Sequence, residues 1–178
     1  MTAPFFTVGH SDRPIETFVR LLTEAGVESL VDVRKLPGSR ANPQFDEDVL
    51  SAALEGAGIR YRHEAGLGGL RPASRSVPPE VNGYWRNGSF HNYADYALSA
   101  EFEDALTRLL EGGRLHATAV MCSEAVWWRC HRRIIADHLL ARGETVEHIM
   151  GEGRLEPAVP NPGAVVDAGR VTYPASPT

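Results

Sequence analysis

The sequence predicts an α/β fold, a single three-layer domain of β-α-β units around a mostly parallel sheet of about five strands. Short β-branched runs alternate with segments of helical periodicity, which is the pattern such units leave. Polar residues recur just after the strand-like runs, where the loops of a parallel sheet gather ligands. The 178 residues, 43% hydrophobic and 23% charged, suit one sizeable core.

Phe5 to Gly9 reads as the first strand. Pro14 suits a first helical turn, and Ile15, Phe18, Val19 and Leu22 follow at helical spacing until Gly26. Ser29 to Val33 is a second strand, running into the polar loop Arg34 to Arg40. Asp46 is placed to cap a helix striped by Val49, Leu50, Ala53 and Leu54, with Gly58 as its C′ residue and a third strand from Ile59 to His63. From Glu64 to Asn92 glycines and prolines interrupt every pattern, over a length that usually signals a functional loop or lid, and mobility is expected there. Tyr93 to Leu110 is helical again, as two turns and then a longer helix with Phe102, Ala105, Leu106 and Leu109 facing inward. Ala117 to Met121 is the best central strand, Trp127 to Arg142 a helix ended by Gly143, and Thr145 to Met150 a fifth strand. Residues 1–150 therefore form the α/β domain. Residues 151–178 are a Gly/Pro-rich extension in which Val165-Val166 and Val171-Thr172-Tyr173 form an edge hairpin or drape over the surface.

A net charge of -5 argues against wholesale coating of nucleic acid, while leaving room for a local basic patch. Two cysteines eight positions apart, with no hydrophobic leader, do not resemble a secreted disulfide framework, so the chain reads as cytoplasmic. No apolar run approaches the roughly 18 residues that cross a bilayer, and no membrane partner is expected.

The richest stretch runs from Val120 to Arg133 and holds Cys122, Glu124, Arg129, Cys130, His131, Arg132 and Arg133. Polar residues also follow the other strands: His10 the first, Arg34 the second, His63-Glu64 the third and Glu152 the fifth. Cys122 ends a buried strand just before the expected helix, whose N-terminal N–H groups would favour a thiolate. A buried inert cysteine fits the same pattern. Projected at about 100° per residue, Trp127, His131, Ile134, Ile135 and His138 share the buried helix face, and Arg129, Arg132 and Arg133 point elsewhere. His131 is then a core or a pocket histidine, and His138 a structural one. Basic residues at a helix N-terminus oppose its dipole, so a local anion, Glu124 or a ligand phosphate, is called for unless the face is simply solvated.

Cys122, Cys130, His131 and His10 are chemically sufficient for zinc or iron, but their spacing fits no CxxC or HxxxH ligand pair, so no metal is assigned. No motif specifies a cofactor. The absence of a Gly-x-Ser-x-Gly elbow also argues against a serine hydrolase triad. Arg34, Arg40, Arg60, Arg62, Arg71, Arg75 and Arg86, interleaved with Tyr61, Tyr84 and Trp85, offer instead a groove for a nucleotide or single strand.

A cysteine on a strand-to-helix loop closed by an arginine is similar to the anion cup of rhodaneses and cysteine phosphatases. The Cys122 to Arg129 spacing is one residue longer than the phosphatase cup, and Trp127 and Trp128 replace its small residues. A closer resemblance covers about Phe5 to Met150. It rests on Thr7-Val8-Gly9-His10-Ser11, on Val31-Asp32-Val33-Arg34 through Pro37-Gly38-Ser39-Arg40 to Asn42-Pro43-Gln44-Phe45, on Glu64 through Leu67-Gly68-Gly69, on Tyr93-Ala94-Asp95-Tyr96, and on Cys122-Ser123-Glu124 with Cys130-His131-Arg132. These pieces together resemble the bacterial domain-of-unknown-function 488 family. Asn92 stands where that family has a glycine. The resemblance implies a compact α/β domain with a strand-end pocket and carries no established reaction.

Two readings follow from the residues. The first is an enzyme, a cysteine-dependent transferase or hydrolase, acting on an anionic small molecule or nucleotide-like substrate. Cys122 is its nucleophile, Glu124, His10 and His131 are acid/base candidates, and Arg34, Arg40, Glu64, Tyr93 and Arg132 bind substrate. The second is a non-catalytic module that binds a nucleotide or nucleic acid through the Arg/aromatic surface.

Overall fold

The central strands are buried on both faces, as expected for a parallel sheet covered by helices on each side. In the computed structural model, which describes residues 3–175, the sheet runs β3 (Arg60–His63), β2 (Ser29–Asp32), β4 (Thr118–Cys122), β1 (Phe5–Gly9), β5 (Val146–Gly151) and β6 (Arg154–Pro157). The first five are mutually parallel, and β6 is antiparallel to β5. This is the expected α/β class with its mostly parallel sheet, extended by one strand from the C-terminal segment. A separate hairpin, β7 (Val165–Asp167) with β8 (Arg170–Thr172), forms its own two-stranded sheet rather than an edge of the main one.

Alternation along each strand divides the core. Phe6, Val8, Ala119 and Met121 join Phe18 and Leu22 of α1 (Ile15–Ala25) and Leu50 and Leu54 of α2 (Glu47–Gly56). Phe5, Val120 and Cys122 join Tyr93 of α3 (Gly88–Tyr96), Phe102 and Leu106 of α4 (Ala100–Leu115), and Ile134, Ile135 and Leu139 of α5 (Arg132–Ala141). The chain thus leaves β1 for a helix on one face and leaves the adjacent β4 for a helix on the other. Their carboxyl ends part at this switch point, where open α/β sheets bind ligands.

Several local expectations are corrected. The helix expected from Trp127 begins at Arg132; Trp127–Arg129 is a separate 3-10 turn, and Cys130 is extended. Asp46 occupies the N-cap position of α2, but its carboxylate accepts instead from the Ser39 N–H at 3.1 Å. Helix α4 continues past Leu110 through Gly112-Gly113, where a β-carbon on Gly113 would stand 2.1 Å from the Phe5 ring and force it to shift.

The 64–92 segment, expected to be a mobile functional loop or lid, is tied to the body of the fold near its C-terminal end, while much of 70–80 is exposed. Asn82 donates to Asp95 at 2.7 Å and accepts from the Tyr173 N–H at 2.8 Å, and Trp85 is buried. Asn92 lies within α3, where a side chain is accommodated without special backbone geometry. The C-terminal segment is also tied down, since Val171 and Tyr173 are buried and the Tyr173 hydroxyl donates to Asp137 at 2.6 Å. No helix among the described residues is long and apolar enough to cross a membrane.

Candidate functional site

Cys122 is the last residue of β4 and lies opposite Gly9 of β1, at the switch point. Its side chain faces the α3-α4-α5 layer. The chain then loops through Ser123 to Val126, makes the 3-10 turn, and returns Cys130 Sγ to 2.6 Å from Cys122 Sγ. Both thiols are free and buried.

Arg132 opens α5 and points inward, against the helical projection that turned it away. It is completely buried, and its Nη1 donates to Cys122 Sγ at 2.7 Å and to the Glu124 carbonyl at 2.6 Å, with Nη2 donating to the Ala125 carbonyl at 3.1 Å. None of the ion pairs among the described residues includes it. A guanidinium does not shed its proton in a protein, and an uncompensated buried charge costs several kcal/mol (about that order). The ionisable group at hand is the Cys122 thiol. Burial pushes that thiol up, but the hydrogen bond from Cys130 and the Arg132 charge outweigh it and hold Cys122 below its ordinary value. Burial and the neighbouring Cys122 push Cys130 well above its own. Cys130 donates to Cys122, and the arrangement favours a negative charge on Cys122 over one on Cys130. The expected source of stabilisation, a helix N-terminus directly after Cys122, is replaced by a side chain from ten positions later.

His131 donates from Nε2 to the Val33 carbonyl at 2.9 Å, which leaves Nδ1 as a lone pair 3.5 Å from Cys130 Sγ. Burial lowers its pKa to about 4, so the ring is neutral at neutral pH. Cys122, Cys130 and His131 open onto a cavity of about 470 Å³, also lined by Arg34, Lys35, Tyr93, Glu124 and Arg129. With Arg34 paired to Asp32, the exposed Lys35 and Arg129 against Glu124 leave its mouth a net positive charge.

Of the expected site residues, Cys122, Glu124, His131, Arg34 and Tyr93 line this cavity, whereas His10, Arg40, Glu64 and Arg132 do not. Arg34 is held by Asp32, with Nε to Oδ1 at 2.9 Å and Nη2 to Oδ2 at 2.7 Å, and its Nη1 donates to the Phe45 carbonyl at 2.8 Å. Tyr61 adds a 2.6 Å bond to the same carboxylate. His10 stacks on Phe45 with ring centroids 4.3 Å apart and donates from Nδ1 to the Ser11 carbonyl, and burial lowers its pKa. It forms a wall behind Arg34. Glu64 turns away from Cys122, accepting from Arg108 at 2.8 and 3.0 Å and from Arg62 at 2.6 Å, and so fastens the Ala65–Leu67 turn to α4. Arg40 is exposed. Tyr93 is buried and donates to the Leu67 carbonyl at 2.8 Å. Glu152 pairs with Arg20 at the surface.

Part of the Arg/aromatic set is engaged within the fold, whereas Arg40, Arg60, Arg75 and Arg86 are exposed. Arg62 serves Glu64, Arg71 donates to the Ala65 and Gly68 carbonyls and lies over Tyr96, and Trp85 is buried. Among the described residues, no three of His, Cys, Asp or Glu are grouped to hold a metal ion.

The sequence reading missed Cys130 and Lys35 as cavity residues and misplaced Arg132. Arg132 meets Cys122 because the Trp127–Arg129 turn precedes α5, and nothing local in the sequence marks that late helix start.

The family model described as "Domain of unknown function DUF488" matches residues 14–139. The chain belongs to this family. No curated protein and no solved structure matches it. In this DUF488 chain the match includes Arg34, Tyr93, Cys122, Cys130, His131 and Arg132, but ends before β5.

Proposed function

We propose that the chain is a cysteine-dependent enzyme whose Cys122 thiolate attacks an electrophilic centre of an anionic small molecule held at the strand-end cavity. One observation carries this reading: the fully buried Arg132 guanidinium has Cys122 Sγ at 2.7 Å as its anionic counterpart and no carboxylate partner among the described residues. A thiolate so paired is nucleophilic at neutral pH, where an ordinary thiol with a pKa of about 8.5 is mostly protonated. Lys35, Arg34 and Arg129 at the cavity draw in the anion, and Ser39 offers it a hydroxyl. Glu124, exposed at the rim, is the acid/base group of this site. His131 keeps its lone pair toward Cys130.

Alkylation of the reduced, folded protein tests the reading. Cys122 should react with iodoacetamide at neutral pH, ahead of Cys130, with a midpoint below that of a free thiol. Anionic iodoacetate should gain on neutral iodoacetamide relative to their rates with a small thiol, and salt should erase the gain. Arg132→Met should move the Cys122 midpoint upward. Slow and equal alkylation of both cysteines would overturn the proposal.

A further inference from the structure

Cys130 has no task in nucleophilic attack by Cys122, yet it brings a second free thiol to 2.6 Å from the first. Both sulfurs border the same cavity, so an oxidant that reaches one reaches the pair. Resting on the nucleophile reading above, we propose that Cys122 and Cys130 form a reversible dithiol that reduces hydroperoxides, with Cys122 as the attacking sulfur and Cys130 as the resolving one.

The steps balance. Cys122 thiolate attacks the terminal peroxide oxygen; an S–O bond forms, the O–O bond breaks, and the departing alkoxide takes a proton from water. Cys122 is now a sulfenic acid, oxidised by two electrons, and the peroxide has become an alcohol. Cys130 then attacks Cys122 Sγ, the S–O bond breaks, and hydroxide leaves with the Cys130 proton as water. His131 Nδ1, 3.5 Å from Cys130 Sγ, is positioned to pass that proton. An external dithiol reduces the resulting disulfide by thiol exchange and leaves as its own disulfide. The overall reaction converts hydroperoxide and dithiol into alcohol, water and disulfide.

The pair also has a direction built into it. Closing the disulfide removes the anion beside Arg132, which has no carboxylate among the described residues to replace it. The reduced form is thereby favoured, which makes the disulfide an oxidising one.

Reduced wild-type protein treated with one equivalent of hydrogen peroxide should lose both titratable thiols, and its intact mass should fall by two hydrogens. Cys130→Ser should stop at the sulfenic acid, captured by dimedone, which wild type should not bind. With dithiothreitol present, wild type should consume peroxide catalytically, and Cys122→Ser and Cys130→Ser should each lose that turnover. The wild-type mass measurement does not depend on either variant folding. Survival of both thiols, or addition of oxygen without disulfide, would overturn the inference. If Cys122 alkylates rapidly while no disulfide forms, the redox pair falls and the nucleophile stands; if Cys122 is unreactive to both reagents, both fall.

Discussion

The carbonyl oxygen of Glu124 rests against Cα of Gly9, so closely that a β-carbon on Gly9 would stand 1.7 Å from that oxygen and 2.8 Å from Nη1 of Arg132. The same carbonyl accepts from Arg132. The backbone of β1 thus sets where the 123–126 loop lies, and the loop helps hold the guanidinium against Cys122.

Gly9→Ala should therefore impair stability and reactivity together. Overpacking against backbone costs about 1–3 kcal/mol, visible as a lower urea midpoint, and displacement of the Glu124 carbonyl should slow Cys122 alkylation. Gly56→Ala is the control: a β-carbon there meets nothing within 4 Å, so stability should hold or rise by up to about 1 kcal/mol. Unchanged alkylation in Gly9→Ala would show that the carbonyl does not position Arg132.

Asp32 gathers Arg34 and Tyr61 in a buried cluster at the end of β2. Removing a partner from a buried ion pair strands the other charge, so Asp32→Ala should cost about 3–5 kcal/mol. Tyr61→Phe removes one hydrogen bond to a charged group and should cost about 1.5–3 kcal/mol. Urea denaturation of both variants checks the ordering; a larger loss in Tyr61→Phe would contradict it.

Acid should destabilise the fold through His131, which burial lowers to about 4, and through His138 and His148, both 2% exposed. Burial lowers His138 to about 3 and His148 to about 4. Unfolded, each takes up a proton below about pH 6.5. Above that both states are neutral and none of the three contributes. Between there and the folded values the unfolded chain binds more protons, so stability falls with pH, by about 1.4 kcal/mol per pH unit for each histidine. His138 Nε2 has no hydrogen-bond partner among the described residues, so His138→Leu should make this acid limb shallower by its own share, leaving those of His131 and His148, without loss at neutral pH. An equally steep limb in that variant would assign the slope elsewhere.

The central strands β1, β2 and β4 were legible because a parallel sheet imposes apolar runs there, and the end of β4 was legible as a site because Cys122 ends such a run. The start of α5 was not. Trp127-Trp128-Arg129 continues the helical pattern in composition, yet forms a tight turn that turns the chain so that Cys130 comes back to Cys122. Strand β6 was hidden too, since all its residues are exposed and carry no apolar alternation.

By itself, the sequence determined the α/β class, the parallel strands, and the presence of a cysteine at the end of a central one, because each depends on periodicity and local chemistry. The tertiary structure decided which charge meets that cysteine. Arg129, Arg132 and Arg133 are alike in sequence, and only the path of the 123–131 segment buries Arg132 behind Cys122 while leaving Arg129 exposed. It also gave Glu64 to Arg108, forty-four positions away. Such pairings arise from chain segments brought together by packing, and no local pattern encodes them.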